Sequence, residues 1–161
     1  MTDFGISWNL SRQRFVDEIK GLSDEQMRWR PYSGALSIGE MGIHVAGVEV
    51  FFTSQLSGSE LSDLEVRVRS SSTDGVVNDK PFLFADEEIS TNLVLKILDN
   101  AAEMVTPLMT SPTPDILAKE IQSALGPIIT GKGALARFAF HPAYHQGQAY
   151  FYKSMPSFPN G

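Results

Sequence analysis

The stretch SIGEMGIHVAGVEVFFTSQL, residues 37 to 56, constrains the fold more than any other part of the chain. Ile38, Met41, Val45, Val48, Phe52 and Leu56 follow at three- and four-residue steps, the spacing that lines one face of an α-helix. Ser37 and Glu40 open that helix as a capping box: the serine accepts from an early backbone N–H and the glutamate reaches back. Gly58 and the serine-rich residues behind it close the helix. So apolar a face has to be covered, and the rest of the chain offers matching partners.

Trp8, Phe15, Ile19 and Leu22 fall close to a second helical face, with Gly21 as its stop. Ser23–Gln26 forms another capping box, opening a short turn that Pro31 ends. Leu93, Ile97, Ala101, Met104 and Leu108 mark a helix that opens near Asp86 or Ser90, and Pro107 either kinks it or marks its last turn. The last long helix starts around Gly133 and runs towards Lys153. Residues 57–88 are the least regular: Leu64–Arg69 alternates apolar and charged, which fits a short strand or an extended connector, and SSSTDGVVNDKP has loop composition. A short helical piece is expected at Asp115–Leu125. A chain of 161 residues suits one domain. We therefore expect an all-α four-helix bundle over residues 1–155, with a long crossover between its second and third helices and a loosely held tail at 156–161.

Charge and composition remove several function classes. A net charge of −6, with basic residues no denser than Arg28 and Arg30 or Arg67 and Arg69, argues against a nucleic-acid partner. No run approaches the length of a membrane span, and the polar N-terminus does not read as a secretory signal, so a cytoplasmic protein is expected. With no cysteine, any metal must be held by nitrogen and oxygen ligands.

The chemistry rests on three histidines, the only ones present. His141 and His145 stand four residues apart, so on a helix both imidazoles reach one point. His44, on or near the buried face of the Ser37–Leu56 helix, is the remaining candidate for a third ligand. The same residues also fit a plainer reading, in which each histidine is a hydrogen-bonded core residue. A zincin-type protease is not indicated, because Pro142 stands where that motif needs its glutamate base. Gly126–Gly133 imitates a phosphate loop, but Gly133 follows Lys132 where a Ser or Thr would hold magnesium. Glu40, Glu49 and Gln148 are either supports of the imidazoles or ordinary polar residues; Glu40 and Gln148 have the helical spacing to face them.

The segments RWRPYSGALSIGEMGIHVAGVEVFF and HPAYHQGQAYFY together resemble the DinB/YfiT-like superfamily. The matching positions are Ser37, Ile38, Gly39, Glu40 and His44, then His141, His145, Gly147 and Gln148. The resemblance implies a four-helix bundle, a divalent metal (nickel or zinc) held by His44, His141 and His145, and a homodimer. It further implies chemistry on a small molecule, such as transfer to or from a low-molecular-weight thiol. Pro142 departs from the pattern: either the last helix bends there or it begins closer to His141.

Three neutral imidazoles leave coordination positions open, as catalytic metal sites do. An ion there acts as a Lewis acid on a bound water, thiol or carbonyl. We accordingly expect a metal-dependent enzyme of transferase or hydrolase type. The alternatives are a non-catalytic metal- or ligand-binding bundle and a purely structural one.

Overall fold

The computed structural model describes residues 1–160; Gly161, the end of the tail expected to be loose, lies outside them. The chain is mostly helical. Its elements in order are α1 (Asp3–Ile19), α2 (Asp24–Arg28), α3 (Ile38–Ser57), α4 (Asp63–Ser70), a 3-10 turn (Asp86–Glu88), α5 (Thr91–Thr110), α6 (Pro114–Ala118), β1 (Glu120–Gln122), β2 (Ile128–Thr130) and α7 (Gly131–Lys153).

The four long helices begin where hydroxyl side chains cap them. Thr2, Ser37, Ser90 and Thr130 each accept from a backbone N–H in the first turn, at 3.0–3.2 Å. Such a cap contributes about 1 kcal/mol. The α1 helix packs on α7 and α5, and α3 packs on α5 and α7. Every residue of α3 from Ile38 to Val50 is buried, so this helix has no solvent face along its N-terminal two-thirds. Phe15, Ile19, Met41, Val94 and Leu98 share one core region; Trp8, Phe52, Met109, Leu135 and Phe138 share a second.

Burial on all sides of α3 requires close approach, and Gly47 shows how. A Cβ at this position would lie 2.6 Å from the Val68 carbonyl oxygen and 2.9 Å from the Ser72 nitrogen. The backbone leaving α4 therefore rests directly on α3, a contact only glycine permits. A buried ion pair ties the helices further. Glu49 of α3 accepts from Trp8 Nε1 at 2.8 Å and Arg12 Nε at 3.2 Å, and Arg12 also donates to the Leu98 carbonyl of α5.

The segment Leu64–Arg69 is helical, neither strand nor extended connector. Ser62 caps α4 and Glu65 completes a capping box, which outweighs the alternation. Val68 is buried and Leu64 packs against the core four residues earlier, whereas Val66 is exposed. The helical piece expected over Asp115–Leu125 ends at Ala118. Beyond it β1 pairs antiparallel with β2, Ile121 opposite Ile129, and Gly126 turns the chain at a φ of 107° that favours glycine.

The long final helix does not start near His141: α7 runs continuously from Gly131 to Lys153 through Pro142. Near that proline, Ser11 of α1 donates its hydroxyl to the Ala139 carbonyl at 2.9 Å, one residue past the carbonyl that Pro142 crowds. Pro107 lies in the last turn of α5. In the tail, Phe158 stacks edge-on against Trp29, and Gln26 donates to the Pro159 carbonyl at 2.9 Å.

Candidate metal centre

Helices α3 and α7, almost a hundred residues apart in sequence, bring the three histidines to one place. The ring centroids of His44 and His141 are 4.9 Å apart, those of His44 and His145 5.1 Å, and those of His141 and His145 4.6 Å. One nitrogen from each ring lies within 4.8 Å of the others, a spacing at which the three could share a metal ion. Nε2 of His141 is 3.1 Å from Nε2 of His145. Two nitrogens about 2.0–2.1 Å from a common ion sit about 2.9 Å apart at a right angle and about 3.4 Å at a tetrahedral one, so 3.1 Å suits either geometry.

Each ring has a distinct setting. His44 is buried and its Nδ1 lies 2.9 Å from the Ser71 carbonyl oxygen. A carbonyl only accepts, so His44 carries its proton on Nδ1 and keeps the Nε2 lone pair free. The Gly47 contact places the end of α4, and with it Ser71, against this face of α3. Nδ1 of His141 and Nδ1 of His145 are buried without a partner. Burial of ring nitrogens lacking partners is costly, and it is the facing Nε2 atoms of His141 and His145, 3.1 Å apart, that present lone pairs to a shared cation.

The electrostatics point the same way. Burial lowers the pKa of His44, opposed by the Ser71 hydrogen bond. Burial and the neighbouring histidines bring His141 down to about 2. Burial and His44 bring His145 to about 3, against a small opposing effect of Gln148. All three rings are therefore neutral at physiological pH, the form that ligates a cation.

The histidines stand in the wall of a cavity of about 590 Å³, within the usual size range of small-ligand sites. Met41, Val48, Phe52 and Leu125 supply apolar lining, and Tyr144 packs against His145 at 5.0 Å. Gln148 lines the same cavity. Glu40 spends its carboxylate elsewhere, accepting from the Ser37 N–H at 2.6 Å and from Arg30 at 2.7 Å. Glu49 is occupied by Trp8 and Arg12. Two participants escaped the sequence reading. The Ser71 carbonyl lies in a stretch of loop composition and carries no side-chain signal. Arg137 of the cavity wall stands four residues before His141, and that spacing was available.

A mostly helical protein with a cluster of three neutral histidines, two of them buried and one partly so, opening on a cavity is the class these features define. The family model described as DinB superfamily matches residues 7–149. The chain belongs to the DinB superfamily. No curated protein matches it. Among solved structures it is similar to one described as the conserved protein of locus from Enterococcus faecalis. The TM-score is 0.66 at 15% identity, over 92% of this chain and 91% of that one, which is a likeness of fold.

Proposed function

We propose that this protein binds one divalent metal ion through His44, His141 and His145 and uses it on a small molecule held in the adjoining cavity. The observation that carries the reading is the convergence of three neutral imidazoles, within 4.8 Å of one another, at the wall of a 590 Å³ cavity. The ion is nickel or zinc, and when bound it supplies a Lewis acid. The chain's own part is to hold the ligands. Ser71 fixes the tautomer of His44, the helical repeat of α7 sets the other two rings, and the apolar walls exclude water from the reacting group.

The reaction is of thiol-dependent transferase or hydrolase type, on a fold we read as a single-domain four-helix bundle with α4 in its crossover, working as a homodimer in the cytoplasm. Among the described residues no helix is long and apolar enough to cross a membrane. A non-catalytic ligand-binding role is the second reading. It is favoured by the lack of any Asp or Glu in the cavity lining among the described residues, which offers no carboxylate there as general base.

Elemental analysis of tag-free protein is expected to find close to one nickel or zinc per chain, lost in His44→Ala and in His145→Ala. Retention of metal by both variants, or its absence from wild type after loading, refutes the shared site. Assays of the metal-loaded protein with a panel of low-molecular-weight thiols then separate the two readings, turnover supporting the enzyme and its absence the binder.

A further inference from the structure

The cavity contains one more group that the metal reading leaves unused. Arg137 is the single formally charged side chain in the cavity lining among the described residues. It has no carboxylate partner: its one hydrogen bond there is a 3.4 Å contact from Nη1 to the Gly133 carbonyl within its own helix. On a chain with 19 acidic residues and 13 basic ones, a half-buried guanidinium facing a cavity without acids is conspicuous. A second observation is independent of it. Ser72, which also lines the cavity, has a buried hydroxyl with no hydrogen-bond partner. The Ser72 hydroxyl has no partner in the protein and Arg137 has only the Gly133 carbonyl, so each keeps donor capacity for a ligand.

Position adds direction. Arg137, His141 and His145 recur at four-residue steps along one face of α7. The rise along α7 between Arg137 and His141 is about 6 Å, and the Arg137 side chain reaches back towards the Gly133 carbonyl, so an anion on it lies more than one helical turn from the histidines. The histidine end offers neutral imidazoles, and Arg137 is the one fixed positive charge among the described residues of a lining that also includes Leu125, Phe140 and Tyr144. A single guanidinium balances one negative charge, and its planar fork matches a carboxylate through paired N–H donors.

We propose that Arg137 is the anion-recognising residue of this cavity and that its ligand is an amphipathic monocarboxylate, apolar through the middle, with its other functional group directed at the histidines. This rests on the reading of the cavity as the substrate site, but not on the metal itself. Arg137 is a specificity residue in this assignment; the histidines remain the reactive end.

The test compares 4-phenylbutyrate with 4-phenylbutanol, which share an apolar body and differ in charge, by titration calorimetry on the full chain freed of metal with EDTA. Wild type is expected to bind the carboxylate at least about tenfold more tightly than the alcohol. In Arg137→Gln the ratio falls to near one; in Arg137→Lys it is intermediate, since the charge remains and the fork is lost. Circular dichroism verifies that both variants are folded, and metal uptake by Arg137→Gln is expected to equal that of wild type. Equal affinity of wild type for the two probes, or an undiminished preference in Arg137→Gln, overturns the assignment. Failure of wild type to take up metal sinks the proposed metal function while leaving the carboxylate preference of the metal-free protein standing. Loss of that preference with metal uptake intact sinks this inference alone.

Discussion

Lowering the pH from 7 to 5 should destabilise the metal-free protein far more than its carboxylates alone would. The histidines of an unfolded chain titrate near about 6.5, whereas His141 and His145 in the folded protein are brought down to about 2 and about 3. Between those limits protons bind the unfolded chain and not the native one. Stability is thus complete above about 6.5 and is lost as the pH falls towards the folded values. Integrating the proton difference from pH 7 to pH 5 gives about 2 kcal/mol for each of the two rings, about 4 kcal/mol together. His44, also lowered, adds in the same direction. Against a typical total of about 5–15 kcal/mol this is a large fraction. It corresponds to a fall of roughly 8–16 °C in melting temperature for a chain of this size. The assay is urea unfolding with EDTA at both pH values, followed by tryptophan fluorescence, on wild type and on the double variant His141→Gln/His145→Gln. The variant keeps a polar side chain at each position and removes the titration, so the contributions of Asp86 and Glu88, held low by Arg30 and Arg67, cancel in the comparison. A difference between the two proteins below about 1 kcal/mol in the pH-dependent loss would refute the burial and neutrality on which the metal centre depends.

Three further outcomes are expected. Gly47→Ala drives a methyl group into the Val68–Ser72 backbone, so it should cost about 1–3 kcal/mol and, by displacing Ser71 from His44, weaken metal binding about 10–100-fold. Gly147→Ala, whose added methyl meets nothing within 4 Å, should leave both unchanged or slightly raise stability, and a metal titration with thermal melts checks the pair. Glu49→Gln strands the Arg12 charge beside the core and should cost about 3–5 kcal/mol in denaturant unfolding, while Arg12→Met/Glu49→Leu should cost less than that single change. Equimolar nickel or zinc should raise the melting temperature at pH 7, an effect absent from His44→Ala and fading as the pH is lowered, because protons compete for the ring nitrogens.

Much of this protein was legible in the chain itself, for local reasons. The capping boxes at Ser23 and Ser37 were read correctly because a cap depends on residues within one turn. The helical faces of α1, α3 and α5 were read from spacing alone, and so was the shared face of His141 and His145. The error at Leu64–Arg69 is equally local: two-residue alternation was given more weight than Ser62 and Glu65, though a capping box commits the backbone before the pattern is tested by burial. The ribbon of β1 and β2 went unseen because three-residue strands carry almost no periodicity.

The composition and order of residues determined that the chain is mostly helical, that any metal must be held by nitrogen and oxygen ligands rather than thiolates, and that two of the three imidazoles share a helix face. Only the tertiary structure decided that His44 completes the cluster and that Ser71 sets its tautomer. It also decided that Glu40 is spent on Arg30 while Arg137 stays free for a ligand. The division follows from the range of the forces. Helix formation is settled by hydrogen bonds four residues apart. The meeting of α3 with α7 depends on side-chain volumes across a packed interface, where Phe52 of α3 packs edge-on against Phe138 of α7 and the large residues of both core regions fill what remains.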